Sequence, residues 1–74
     1  MIEIEFNLNL AEMMGKKSLT MDVGESLSLS QLRDRLGLSD GDVGMVLINE
    51  AWAPLDSVVM DGDRVKLYPF LEGG

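Results

Sequence analysis

Apolar and polar residues alternate strictly at the start of the sequence, with Ile2, Ile4, Phe6 and Leu8 set against Glu3, Glu5, Asn7 and Asn9. A period of two puts one set on each face of an extended chain, so this stretch predicts a half-buried strand. Residues 11–15 predict a single helical turn ending at Gly15. Leu19, Met21 and Val23 then alternate with Ser18, Thr20 and Asp22, which predicts a second strand and hence a hairpin.

Beyond Gly24 the period lengthens to that of a helix. Ser28 is placed as N-cap with Gln31 as its capping-box partner, and Leu27 and Leu32 as a hydrophobic staple. Leu29, Leu32 and Leu36 share one face, and Gly37 stands where a left-handed C-terminal cap is wanted. Residues 39–44 are turn formers without the ligand spacing or terminal Glu of a calcium loop. The continuous apolar run Met45–Ile48 reads as a buried strand, after which Asn49 and Glu50 turn the chain. Pro54 is expected to end any regular structure in residues 51–53, and residues 55–59 suit a short edge strand or a helical turn. A tight turn at Asp61, Gly62 and Asp63 leads into a last strand with Val65 and Leu67 on one face and Arg64, Lys66, Tyr68 and Phe70 on the other.

The resulting order is strand, strand, helix, strand, short element, strand. It predicts an α+β fold of β-grasp type, a mixed sheet of four to five strands packed against one main helix. Residues 1–70 form the expected domain and residues 71–74 a flexible tail. A right-handed crossover would bring the first and last strands together in parallel at the sheet centre, with Glu3 and Glu5 facing Arg64 and Lys66. A slip of one residue would send Ile2, Ile4 and Phe6 to solvent and both glutamates into the core, so the alternation specifies the pairing strongly.

Composition narrows the chemistry. The 74 residues allow one domain, and 46% apolar with 26% charged residues is a globular balance. No apolar run approaches the roughly 20 residues that span a bilayer, and the alternating start is unlike a secretory signal, so a cytoplasmic protein is expected. With no cysteine and no histidine, the chain has no disulfide, no thiolate or imidazole metal site, no Cys nucleophile and no His general base. A net charge of -7 repels phosphate backbones and anionic membranes and favours protein partners with basic surfaces.

The stretch from the Asp61-Gly62-Asp63 turn through the last strand to Tyr68-Pro69-Phe70-Leu71-Glu72-Gly73-Gly74 resembles the ubiquitin-like sulfur carriers, namely the molybdopterin-synthase small subunit and the thiamine-thiazole sulfur carrier. In those proteins an Asp-Gly-Asp turn leads into a last strand and an apolar-ended tail closing on Gly-Gly. The start at Met1-Ile2-Glu3-Ile4, the turn at residues 10–15 and Asn49 are also similar, so the resemblance extends over most of the chain. A single Pro69 stands where molybdopterin members usually carry two prolines, whereas the chain start and the Tyr68-Pro69 position are closer to that group than to the thiazole carriers. Gly-Gly at the end of a chain arises by chance about once in two hundred, so its coincidence with this fold order carries weight.

The resemblance implies a protein cosubstrate and not an enzyme. A ubiquitin-activating-type enzyme would use ATP to adenylate the Gly74 carboxylate, and a persulfide sulfur would displace AMP to leave a thiocarboxylate; the chain itself would bind no cofactor. Gly73 and Gly74 would thread a narrow partner channel that side chains would block. Tyr68, Pro69, Phe70, Leu71 and Glu72 would meet the partners: the adenylating enzyme, and an acceptor such as the molybdopterin-synthase large subunit or thiazole synthase. Two other classes stay open, a protein modifier or tRNA-thiolation carrier using the same tail, and a plain β-grasp interaction module. Trp52, Met13 and Met14 read as core-filling residues.

Overall fold

The computed structural model describes residues 1–70. Strand β1 (Ile2–Phe6) passes through helix α1 (Asn9–Met14) into β2 (Ser18–Met21). Strand β3 (Ser26–Ser28) runs straight into helix α2 (Leu29–Leu36), followed by β4 (Met45–Ile48), β5 (Ala51–Ala53), β6 (Val58–Met60) and β7 (Arg64–Tyr68). Five strands form one mixed sheet in the order β2-β1-β7-β4-β5, while β3 and β6 form a separate antiparallel pair. The fold is the expected α+β β-grasp. β1 and β7 lie side by side in parallel, with Glu3 opposite Arg64 and Glu5 opposite Lys66.

One core holds the layers together. The inner residues Ile2, Ile4 and Phe6 of β1, Val65 and Leu67 of β7 and Val46 of β4 join Leu29 and Leu32 of α2 in a single apolar cluster. Leu10 of α1 is completely buried in it, which explains why so short a helix survives. Gly15 and Gly37 both take the left-handed conformation that closes their helices, and their amides reach back to carbonyls of the last turn.

The start of α2 follows the local signals closely. Ser28 Oγ accepts from the Gln31 amide at 3.1 Å, and Gln31 Oε1 accepts from the Ser28 amide at 3.1 Å, a complete capping box. Ser28→Ala leaves the Gln31 amide without its side-chain acceptor and is expected to lower stability by about 1 kcal/mol in urea denaturation. An effect near zero would show that water replaces the box at no cost.

Several expectations are corrected by tertiary pairing. β2 stops at Met21 and excludes Val23, because Asp22 Oδ1 accepts from the Gly24 amide at 3.0 Å and bends the chain. α1 starts two residues earlier than residues 11–15 suggested. β3 alternates over only three residues, too few to stand apart from the helix signals at Ser28, and exists because Leu27 pairs with Val59 of β6. Residues 51–53 do form a strand, since Pro54 restricts the residue before it to extended backbone, which suits a strand ending at Ala53. The run Met45–Ile48 is not buried on both faces: Val46 is buried, whereas Met45 is exposed and Leu47 half-exposed. Trp52 and Met13 are not core residues, being 67% and 55% exposed, and only Met14 of that group packs against the core.

Candidate functional site

The helices cover one face of the sheet, and the pairing registers lay out the other. Ser18, Glu5, Lys66, Leu47 and Trp52 form one row from β2 to β5. Thr20, Glu3 and Arg64 form a second, and Met45 pairs with Tyr68 in a third. The face is therefore divided. Its β1 side is charged, and its β4-β5 side with the end of β7 is apolar, where Trp52 and Phe70 are more than half exposed. Exposed aromatic and methionine side chains gathered on one face mark a protein-binding surface.

The last described residues leave the sheet at this apolar end. Gly44 donates its amide to the Tyr68 carbonyl at 2.8 Å, extending the ladder past the Met45–Tyr68 pair. Pro69 is buried and Phe70 is exposed, and with Gly44, Met45 and Tyr68 they line an open apolar depression of about 180 Å³. A Cβ on Gly44 would lie 2.8 Å from Phe70 Cα and 2.9 Å from Phe70 N, closer than real contacts allow.

A two-residue turn at Asn49 and Glu50, both with positive φ, joins β4 to β5 and aims Glu50 back over the sheet. Asn49 fits the left-handed region, and its amide group also clasps the start of β7 by accepting from the Arg64 amide and donating to Asp63 Oδ1, both at 2.9 Å. Lys66 Nζ meets Glu50 Oε1 at 2.7 Å, while Arg64 Nε is 3.5 Å from Glu3 Oε2. The expected facing of Glu5 and Lys66 holds in register, but the lysine's ion pair goes to Glu50, which the hairpin turn delivers.

The hydrogen bond from Lys66 to Glu50 raises the lysine above its ordinary value of 10.5. A raised folded-state value means that the pair's contribution is fully present below 10.5 and is lost as pH climbs through the folded value. The difference in denaturation midpoint between the parent and Lys66→Met is therefore expected to stay constant from neutral pH to about pH 10 and to shrink above it. A difference that vanished near neutrality would refute the pairing.

Of the residues singled out in the sequence, Tyr68, Pro69 and Phe70 come together at the chain exit, with Pro69 facing the interior more than expected. Leu71, Glu72, Gly73 and Gly74 lie outside the described residues. Gly44, Met45, Leu47 and Trp52 were missed as site residues. Gly44 is indistinguishable in sequence from the turn glycines before it, and an unbroken apolar run hides which of its members point outward. Among the described residues, no three acidic side chains converge to hold a metal ion, and no helix is long and apolar enough to cross a membrane.

A β-grasp body whose central strand leaves the sheet beside an exposed apolar patch has the ubiquitin-like architecture. The ThiS family model matches residues 4–74, and the chain belongs to the ThiS family. Solved structures agree. SAMP1 from Haloferax volcanii is 25% identical over 99% of this chain and 98% of its own, with a TM-score of 0.70. The thiamine biosynthesis protein ThiS from Geobacter metallireducens is 26% identical over 97% of this chain and 99% of its own, with a TM-score of 0.59. A chain in the complex of subunits 1 and 2 of molybdopterin-converting factor from Helicobacter pylori shares the fold, at 20% identity over 99% of this chain and 97% of its own and a TM-score of 0.62. No curated protein matches the chain in sequence.

Proposed function

We propose that this protein is a cytoplasmic sulfur carrier for molybdopterin or thiamine-thiazole synthesis, acting through the carboxylate of Gly74. The observation that carries the reading is the family match, which runs to residue 74 and so takes in Gly73 and Gly74. A ubiquitin-activating-type enzyme joins the Gly74 carboxylate to AMP and releases pyrophosphate, making a mixed anhydride from a poor electrophile. A persulfide sulfur attacks the carbonyl carbon and AMP leaves. A thiol then cleaves the S–S bond, leaving the Gly74 thiocarboxylate and a disulfide. The thiocarboxylate sulfur is the nucleophile passed to an acceptor synthase, so this chain is consumed and regenerated as a cosubstrate.

The apolar half of the sheet face, with Tyr68 and Phe70 at its edge, suits docking onto the activating enzyme and the acceptor, and Leu71 and Glu72, the next residues in sequence, are proposed to meet the same partners. The net charge of -7 matches basic partner surfaces. The assembly found for molybdopterin-converting factor is the kind of pairing this reading expects. A second reading, a protein modifier, is favoured by the likeness to SAMP1, the small archaeal modifier protein 1 of Haloferax volcanii. It uses the same activated Gly74 with a lysine amine as acceptor.

Intact-protein mass spectrometry after incubation with ATP, a persulfide donor and a ubiquitin-activating-type enzyme tests the proposal. The expected result is a mass gain equal to replacement of one oxygen by sulfur, located in the C-terminal peptide. Lysine-linked conjugates in lysate without that gain would favour the modifier. Neither product with several competent activating enzymes would leave an interaction module.

A further inference from the structure

We infer that Gly44 is a positioning residue that sets the direction in which the chain leaves β7 at Phe70, and so where the reacting end is presented. The inference rests on the carrier reading for its purpose but not for its geometry. Gly15, Gly24, Gly37 and Gly62 have positive φ, and a Cβ at any of them would meet open space. Gly41 likewise has nothing within 4 Å. Gly44 is different. Its φ lies outside the positive region, so backbone freedom does not account for it, and its Cβ position is already filled by Phe70 Cα at 2.8 Å, Phe70 N at 2.9 Å and Phe70 Cδ1 at 3.0 Å.

The blocking atoms are mostly backbone, which cannot rotate away as a flexible side chain can. The Gly44 amide is meanwhile tied to the Tyr68 carbonyl at 2.8 Å, two residues before Phe70. One hydrogen bond fixes the height of the strand end, and the missing side chain lets the Phe70 backbone lie directly against residue 44. Any side chain at position 44 must push Phe70 off that surface while the ladder behind it holds. Because Gly74 lies only four residues beyond Phe70, an altered departure angle there moves the reactive carboxylate relative to the docking face.

The sequence contains no cysteine, so Glu72→Cys accepts a single nitroxide spin label. Paramagnetic broadening of backbone amide signals then maps where the label sits relative to the sheet. Introducing Gly44→Ala is expected to change the broadening at residues 44–46, Tyr68 and Phe70 about twofold, as the forced backbone shift carries the label away. Gly41→Ala, an equal change in open space, is expected to leave the map as it was. If Gly44→Ala does not fold, Phe70→Gly carries the test, since it removes the ring and frees the backbone that lies over Gly44, and a change at the same amides is expected. An unchanged map in the folded Gly44→Ala protein, or in Phe70→Gly if that is the arm used, overturns the inference. No activating enzyme is involved, so a shifted map combined with no sulfur loading of the parent chain would overturn the carrier reading and leave the positioning role standing.

Discussion

Deleting Gly73 and Gly74 is expected to abolish ATP-dependent sulfur loading outright while changing stability by less than about 0.5 kcal/mol. The two halves of this expectation have separate causes. Among the described residues every member of the apolar core lies between Ile2 and Leu67, and the truncation removes two residues that have no side chain to pack. The carrier chemistry, in contrast, needs a carboxylate on a backbone slim enough to enter a closed active site, and the deletion ends the chain on Glu72, whose side chain would meet the channel wall. Intact mass and urea denaturation measured on the same preparation separate the two effects. Continued loading after truncation would move the reacting group elsewhere and overturn the proposed function.

Ile4→Ala is the substitution expected to cost most in stability. Ile4 is fully buried between Leu19 of β2 and Val65 of β7, at the seam where the parallel and antiparallel pairings meet. Truncating it removes transfer free energy and leaves a cavity that two flanking strands cannot close, a loss of about 3–4 kcal/mol. A chain of 74 residues has a total stability of about 4–11 kcal/mol, so the variant should be partly unfolded at room temperature if the parent lies at the bottom of that range. Trp52→Ala, removing a far larger side chain from the uncovered face, should stay within about 0.5 kcal/mol of the parent. A reversed order in the urea midpoints would mean that the covered and uncovered faces have been exchanged.

The same contrast explains which features were legible in the sequence. The alternation in β1 gave both the strand and the face it buries, because a strand's side chains have no other choice than to alternate. Ser28, Gln31 and Gly37 marked the ends of α2 because caps are made within four residues of where they act. β3 was missed for the opposite reason: Ser26, Leu27 and Ser28 alternate over only three residues before the helix signals begin, and their strand exists only where Val59, more than thirty positions away, pairs with Leu27. Trp52 read as core on composition, since a large aromatic usually finds burial, and only the position of β5 at the sheet edge, on the face without a helix, leaves it exposed.

The candidate site divides along the same line. Tyr68, Pro69, Phe70 and the Gly-Gly tail were recognisable as a contiguous stretch with a resemblance to sulfur carriers. Their neighbours Gly44, Met45, Leu47 and Trp52 come from two other strands and enter the site through the antiparallel register of β7 with β4 and of β4 with β5.

By itself the sequence determined the class of fold, the parallel pairing of β1 with β7 and the resemblance to a family, because each rests on residues close together in the chain or on an alternation that a one-residue slip would break. Tertiary structure alone decided that Lys66 pairs with Glu50, that half of the uncovered face is apolar, and that Phe70 lies against a glycine with no room for a side chain. Those features depend on atoms brought within a few ångströms from distant parts of the chain, and no local pattern of hydrophobic and polar positions encodes such distances.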